Sequence, residues 1–314
     1  MARSRTIWPV WLRRLSQTVF VLLFLYLFLQ TVYHPVNQAG RGVDLFFQFD
    51  PLVLLSSWLA SHQIAAGLLF SLITVAVTLL AGRWFCGWIC PFGALHNLFS
   101  CWRSRRAKDR IASSAYSPWQ KSKYYILFGL LLACALGLNL TGWFDPFSFL
   151  FRGTALVAYP MFDDATKSAF GWIYQADPAI GRFHVTSATE PVYEVLRRHV
   201  LATAQPHFAG TVLIALLFFG MLFLNLHRTR FWCHFVCPLG ALLGVVGKNP
   251  LVQIQRNEAA CNNCGACVAD CQGGASPETA GGFKPSECFY CFNCESACPH
   301  KAIKINVLVA GGKQ

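Results

Sequence analysis

Charge is what this sequence has least of. Only 13% of its 314 residues are Asp, Glu, Lys or Arg, about half the usual share of a soluble domain, while 55% are hydrophobic. An ordinary soluble globular protein is excluded on that ground. Acidic residues are the scarcer half, 14 against 26 basic. The resulting net charge of +12 does not require nucleic acid as a partner; topology and attraction to anionic lipid account for it. There is no C-x-x-C-H motif, so any covalent haem would belong to another protein. No small-x-small cleavage site follows the first apolar run, which therefore reads as a retained span rather than a signal peptide.

Four apolar runs approach the roughly 20 residues that a bilayer requires. They cover 15–33, 62–81, 124–141 and 208–226. Arg3, Arg5, Arg13 and Arg14 flank the first, and the stretch 82–123 carries eight basic residues against one Asp. The stretch 142–206, by contrast, has five basic and six acidic residues. The positive-inside rule then puts both termini in the cytoplasm of a bacterium's inner, cytoplasmic membrane. The expected fold is an α-helical membrane protein of four transmembrane helices in two parallel, pseudo-symmetric repeats, with a cytoplasmic two-cluster ferredoxin-like α+β domain. The runs carry no clear set of buried ionisable residues, which weighs against a transporter.

On that topology the outer loops hold no cysteine, so the 14 cysteines do not form a secreted disulfide scaffold. Eight of them lie in the tail. The segment CNNCGACVADC spaces Cys261, Cys264, Cys267 and Cys271 as C-x2-C-x2-C-x3-C, and CFYCFNCESACP repeats this with Cys288, Cys291, Cys294 and Cys298. Two such runs in tandem point to two [4Fe-4S] clusters, since soft thiolates suit iron and the fourth cysteine of each run reaches the other cluster. One cluster then takes Cys261, Cys264, Cys267 and Cys298; the other takes Cys288, Cys291, Cys294 and Cys271. Structural zinc needs four thiolates and leaves the doubled register unexplained. This tail is similar to the bacterial two-cluster ferredoxin over about 255–307, with one departure: Gln272 replaces the usual proline and loosens the expected turn. The alternation in AIKINV, with Ile303 and Ile305, predicts a short strand over the clusters.

A longer unit is also doubled. FDP at 49–51 is followed by an apolar run and RWFCGWICPFGAL; FDP at 144–146 is followed by an apolar run and RFWCHFVCPLGAL. The pairs are Cys86/Cys90 and Cys233/Cys237. Either a helix continues through each pair, placing both thiols on one face, or the chain loops as it does at the end of a ferredoxin run. The four thiols have several readings: a third iron–sulfur cluster shared between the repeats, contact with the tail that helps pass electrons, reversible thiol chemistry, or packing. Arg83 and Arg230 precede the pairs and read as interfacial anchors, with stabilisation of an anionic cluster as the alternative. Asp50 and Asp145 read as helix caps before Pro51 and Pro146, or as groups acting on quinone or protons. His62 and His207 mark the outer starts of the second and fourth runs. With the two aspartates they form the candidate quinone or haem region, although non-covalent haem is not expected. His96 and His234 near the cysteine pairs read as packing residues.

Those motifs together resemble a family of membrane-bound polyferredoxins over about residues 10–307. Its members include the quinol-oxidising subunit associated with periplasmic nitrate reduction and the C-terminal part of the nitrous-oxide reductase maturation and electron-supply protein. The resemblance implies electron exchange with the quinone/quinol pool, in the sense of a quinol dehydrogenase-like subunit of a multi-subunit oxidoreductase. The partner implied is another redox protein: an extracytoplasmic cytochrome or reductase, or a cytoplasmic iron–sulfur subunit. The chain lacks the flavin-binding outer domain of longer members. A conduit without its own quinone site, and a structural or regulatory iron–sulfur protein, are the competing classes. The expected organisation is a basic N-terminus (1–14), a first repeat (15–100), a basic connector (101–123), a second repeat (124–247, with the insertion 142–206) and the ferredoxin-like tail (248–314).

Overall fold

The computed structural model describes residues 8–33, 44–100, 107–176, 179–180, 183–201, 210–277 and 283–307. His207 and Cys101 lie outside them. The protein is mostly helical, and its longest element is the 26-residue helix Trp8–Tyr33. At 1.5 Å per residue it measures about 39 Å, and its stretch Trp8–Thr31 is long and apolar enough to cross a bilayer.

The expectation of four transmembrane helices is corrected here: among the described residues Trp8–Thr31 alone meets that requirement. The other apolar runs break into shorter pieces. The second starts as a 3-10 turn, Ala66–Phe70, becomes the α-helix Ser71–Ala81, and stops at Gly82 with φ +66°. Together these pieces span about 26 Å, short of a hydrocarbon core of about 30 Å. The third forms the 14-residue helix Ser122–Ala135, ended by Gly137 at φ +84°. The fourth, Thr211–Phe223, tightens into a 3-10 turn at Leu224–Leu226. Apolar composition alone did not reveal these interruptions. Their outer faces remain apolar, with Leu72, Leu79, Phe128, Leu132, Leu213 and Leu216 exposed.

Both FDP segments start helices. Asp50 accepts from the Leu52 and Val53 amides before Pro51–Ser61, and Asp145 accepts from the Ser148 amide before Pro146–Gly153. In each case the proline occupies the first turn, where its missing N–H costs nothing. The cysteine pairs follow a shared local plan as well. Short helices Trp84–Trp88 and Phe231–Phe235 lead to a break, then to Pro91–Ser100 and Pro238–Val246. No continuous helix runs through either pair.

The core joining these elements is largely aromatic. Phe24, Phe46, Phe85, Phe92, Phe147, Phe149, Phe218 and Trp232 are all buried within it. Phe149 stacks on Trp232 with ring centroids 4.6 Å apart. The segment 142–206, read in sequence as a long insertion, contains the helices Tyr159–Ala176 and Val185–His199. In the tail, strand Ile303–Val307 pairs antiparallel with Val252–Arg256, placing Ile254 opposite Ile305. The sequence indicated the first of these strands but not its partner.

The tail sits directly against the helical body. A Cβ at Gly87 would lie 2.5 Å from the Phe289 carbonyl, so only glycine lets the Cys288–Cys291 loop approach here. Trp88 donates its indole N–H to the Tyr290 carbonyl at 3.1 Å. Gln272, expected to loosen a turn, instead links the two parts. Its Oε1 accepts from Arg13 at 2.9 Å, its Nε2 donates to Asn97 Oδ1 at 2.9 Å, and its carbonyl accepts from His234 Nε2 at 2.8 Å.

Candidate iron–sulfur centre

The tail cysteines fall into two groups in space, and each group draws its fourth member from the other run. Cys261, Cys264, Cys267 and Cys298 line one cavity of about 350 Å³, closed by Ile111 and Ile303. Cys271, Cys288, Cys291 and Cys294 line a second pocket, with Ile254 and Ile305 on its wall. Left-handed residues let the backbone wrap these spaces: Asn263 and Gly265 in the first run, Tyr290 and Phe292 in the second. Main-chain amides point at sulfur, from Ala302 to Cys298 at 3.3 Å, Tyr290 to Cys288 at 3.4 Å and Ala275 to Cys271 at 3.5 Å.

Donor chemistry fits a cluster in both groups, and shape fits one in the first. Among the described residues no group of three or more Cys, His, Asp or Glu side chains is arranged to hold a single metal ion. The first group surrounds a space of about 350 Å³ rather than a point, as a cube of iron and sulfide requires. Burial followed by the neighbouring Cys291 pushes the Cys271 thiol up to about 11. Burial and then Cys291, Cys288 and Cys271 raise Cys294 well above the thiol range. Thiols held this way ionise when a metal takes the proton's place. The groups differ in access: Cys264 is exposed, whereas all four of the second group are buried.

A third set of thiols lies inside the helical body. Cys86, Cys90, Cys233 and Cys237 are all buried. Cys90 and Cys237 stand immediately before the helix-starting prolines and accept from the Gly93 and Gly240 amides at 3.4 and 3.3 Å. Burial is the first cause raising Cys90, and the Cys86 and Cys233 thiols follow it. Burial likewise raises Cys237, followed by Cys233 and Cys86. The two repeats therefore bring their thiols into one neighbourhood.

Arg83 and Arg230 are not interfacial anchors, since both are fully buried. Arg83 donates to the Ser286 carbonyl and to Glu287 Oε2, each at 3.2 Å. Lys123 and Tyr124 also bond Glu287. Arg230 donates to the Cys86 carbonyl at 3.1 Å. Both guanidinium groups lie over the Phe289 ring, at 4.8 and 5.0 Å from its centroid. Glu287, Phe289 and Lys123 escaped the sequence reading, because nothing in their spacing marks them. The recurrence of the two arginines was the available signal.

The histidines near the pairs have structural partners. His96 Nδ1 donates to Asn225 Oδ1 at 2.8 Å, and burial lowers its pKa to about 4. Burial followed by Lys123 lowers His234 to about 3. Both are neutral near pH 7. Asp50 and Asp145 are fully buried and contact each other, whereas His62 is exposed at the far end of Pro51–Ser61, roughly 16 Å away at 1.5 Å per residue. The expected quinone or haem quartet is therefore not assembled by Asp50 and His62.

A family model described as a 4Fe-4S binding domain matches this chain twice, at residues 63–108 and 208–256. Those matches contain the Cys86/Cys90 and Cys233/Cys237 pairs, and both stop short of the tail cysteines. The methylamine utilization ferredoxin-type protein MauN of Paracoccus denitrificans is 25% identical over 225 residues, covering 71% of this chain and 60% of that protein. The putative electron transport protein YccM of Escherichia coli is 24% identical over 262 residues, covering 82% and 61%. The ferredoxin-type protein NapH of Haemophilus influenzae is 26% identical over 332 residues, covering 96% and 93%. The chain thus spans about 60% of the length of the first two. No solved structure matches it. Its homologues are ferredoxin-type electron transport proteins, consistent with the polyferredoxin family.

Proposed function

We propose that this protein is a membrane-bound electron-transfer subunit that oxidises quinol and hands the electrons to a redox partner through iron–sulfur clusters. The observation carrying the reading is the exchange of fourth cysteines, which sorts eight tail thiols into two groups of four. The homologous ferredoxin-type proteins support the electron-transfer part.

Cys261, Cys264, Cys267 and Cys298 would hold one [4Fe-4S] cluster, and Cys271, Cys288, Cys291 and Cys294 the other. Cys86, Cys90, Cys233 and Cys237 would hold a third, a reading supported by the domain matches over both pairs. Bound clusters supply one-electron chemistry, at potentials that depend on hydrogen bonds to sulfur and on exposure. The chain contributes the amides aimed at Cys90, Cys237, Cys271, Cys288 and Cys298. It also grades access, from the buried interior to the exposed Cys264. That gradient makes the first tail group the exit toward a partner, and a cytoplasmic iron–sulfur subunit fits it better than an extracytoplasmic cytochrome.

For the quinol we assign the cavity of about 810 Å³ between helix Trp8–Tyr33, helix Pro91–Ser100 and the tail. Val21, Leu22 and Leu98 give it an apolar wall, while Arg13, Asn97 and Gln272 give it a polar end beside Cys271. Its size lies within the range of small-molecule sites. The apolar helix and the apolar exterior support residence in the cytoplasmic membrane, and the basic stretch 82–123 supports a cytoplasmic tail.

The test is reduction of the anaerobically purified protein, in lipid, by a quinol of stated potential, followed by EPR. Stoichiometric appearance of reduced clusters is expected. Reduction by dithionite but never by quinol would make the protein a conduit without its own quinone site.

A further inference from the structure

The doubled motif is not only two cysteines and a proline. Each copy also fixes an arginine three residues before its first cysteine and a glycine three residues after its second: Arg83 with Gly93, and Arg230 with Gly240. In the fold these arginines and glycines pair crosswise. A Cβ at Gly240 would lie 2.6 Å from Arg83 Nη2, and a Cβ at Gly93 would lie 3.5 Å from Arg230 Nη1. Gly240 therefore leaves room for the guanidinium of the other copy, whereas a Cβ at Gly93 would meet the Cys86 carbonyl at 2.8 Å and only touch Arg230; both glycines sit in the turn whose amide points at Cys237 or Cys90. Arg230 also reaches across to the Cys86 carbonyl.

The charges around this arrangement do not balance. Arg83, Lys123 and Arg230 are fully buried, and Arg83 and Lys123 share one carboxylate, Glu287. An excess of two positive charges remains. Nε and Nη2 of both arginines are buried and have no hydrogen-bond partner. Guanidinium groups stay ionised in proteins, and an uncompensated buried charge is strongly unfavourable. The groups beside them that could supply negative charge are the four pair thiols, with the Cys288 thiol of the tail also near Arg83.

We propose that Arg83 and Arg230 are the counter-charges of a single anionic centre held by Cys86, Cys90, Cys233 and Cys237, both arginines lying between the two copies of the motif. The inference rests on the third-cluster reading and deepens it. The two matched domain segments form one site, not two, because each copy holds only two of the four thiols and the arginines reach across, Arg83 to Gly240 and Arg230 to the Cys86 carbonyl. Phe289 places both guanidiniums beside the Cys288–Cys291 loop, so the centre is completed only with the tail in place. Arg83 and Arg230 are positioning residues: they hold charge near the ligands and do not ligate.

The experiment uses full-length protein purified without oxygen, with iron counted and potentials measured by EPR-monitored titration. About twelve iron atoms per chain are expected, and about eight would overturn the third-cluster reading while leaving the tail assignment standing. Given twelve, Arg230→Gln should make reduction of one centre at least tenfold less favourable, about 59 mV for a one-electron couple. The Cys261 group should titrate unchanged, and Arg230→Lys should restore most of the shift. Selective loss of that centre in Arg230→Gln with recovery in Arg230→Lys would support the proposal equally. Unchanged potentials in both Arg230→Gln and Arg83→Gln would overturn it. So would equal loss in the Gln and Lys variants, which would assign the arginines to shape rather than charge.

Discussion

Asp50 and Asp145, each the cap of a proline-started helix, meet inside the protein. Asp50 turns Oδ1 to the Leu52 amide at 2.7 Å and Asp145 turns Oδ2 to the Ser148 amide at 2.7 Å. The other two oxygens have no partner beyond the opposite carboxyl. Two acceptors cannot bond without a proton between them. Burial, and then the neighbouring Asp145 charge, hold Asp50 well above the usual carboxylate range; burial also raises Asp145.

The sign of the pH dependence follows. A carboxyl whose folded pKa is raised stabilises the fold below the unfolded value, near 3.8, and loses that contribution as pH climbs through the folded value. Thermal unfolding in lipid should show stability falling above the ordinary carboxylate range, with a slope approaching about 1.4 kcal/mol per pH unit. Asp50→Asn keeps the cap acceptor and needs no shared proton, so its unfolding curve should lose this slope. An unchanged slope in that variant would place the titration elsewhere.

Exchange of the fourth cysteines makes a sharp genetic prediction. Cys298→Ala should abolish the cluster of the first run while sparing that of the second, and Cys271→Ala should do the reverse. EPR of each variant reads this directly. Loss of the neighbouring cluster within the mutated run would show that each run serves itself.

Gly87→Ala puts a methyl group against the Phe289 carbonyl. Strain of about 1–3 kcal/mol is expected, relieved by lifting the Cys288–Cys291 loop. Limited proteolysis should then cut the tail faster, and the signal from the four buried thiols should weaken before that of the exposed tail group.

Gln272→Pro restores the residue usual in two-cluster ferredoxins. It removes the side-chain bonds to Arg13 and Asn97, each worth about 1 kcal/mol. Iron content should be retained while protection of the tail from protease falls.

Filling the quinol cavity separates binding from cluster assembly. Ala94→Phe projects a ring into the space lined by Leu22 and Leu98. Quinol-driven reduction should drop at least tenfold, with dithionite reduction unchanged.

Local chemistry was legible in the sequence where spacing alone decides it. The caps at Asp50 and Asp145 and the strand at Ile303–Val307 belong to this class. Helix length was not legible, because apolar composition is blind to the left-handed Gly82 and Gly137 and to the 3-10 turns beside them. Nor were long-range pairings. Arg83 and Arg230 look like interfacial anchors until the fold places Phe289 beneath them. Gln272 looks like a weakened turn until Arg13, some 259 positions earlier, supplies its partner. Contacts of that separation are set by packing between elements, which no local pattern encodes.

The most direct measurement is the ratio of iron to acid-labile sulfide in anoxically purified full-length protein, taken with its EPR spectrum before and after quinol. The account predicts equal iron and sulfide, with reduced-cluster signals growing as quinol is added. Folded protein containing zinc, or iron without sulfide, would contradict it.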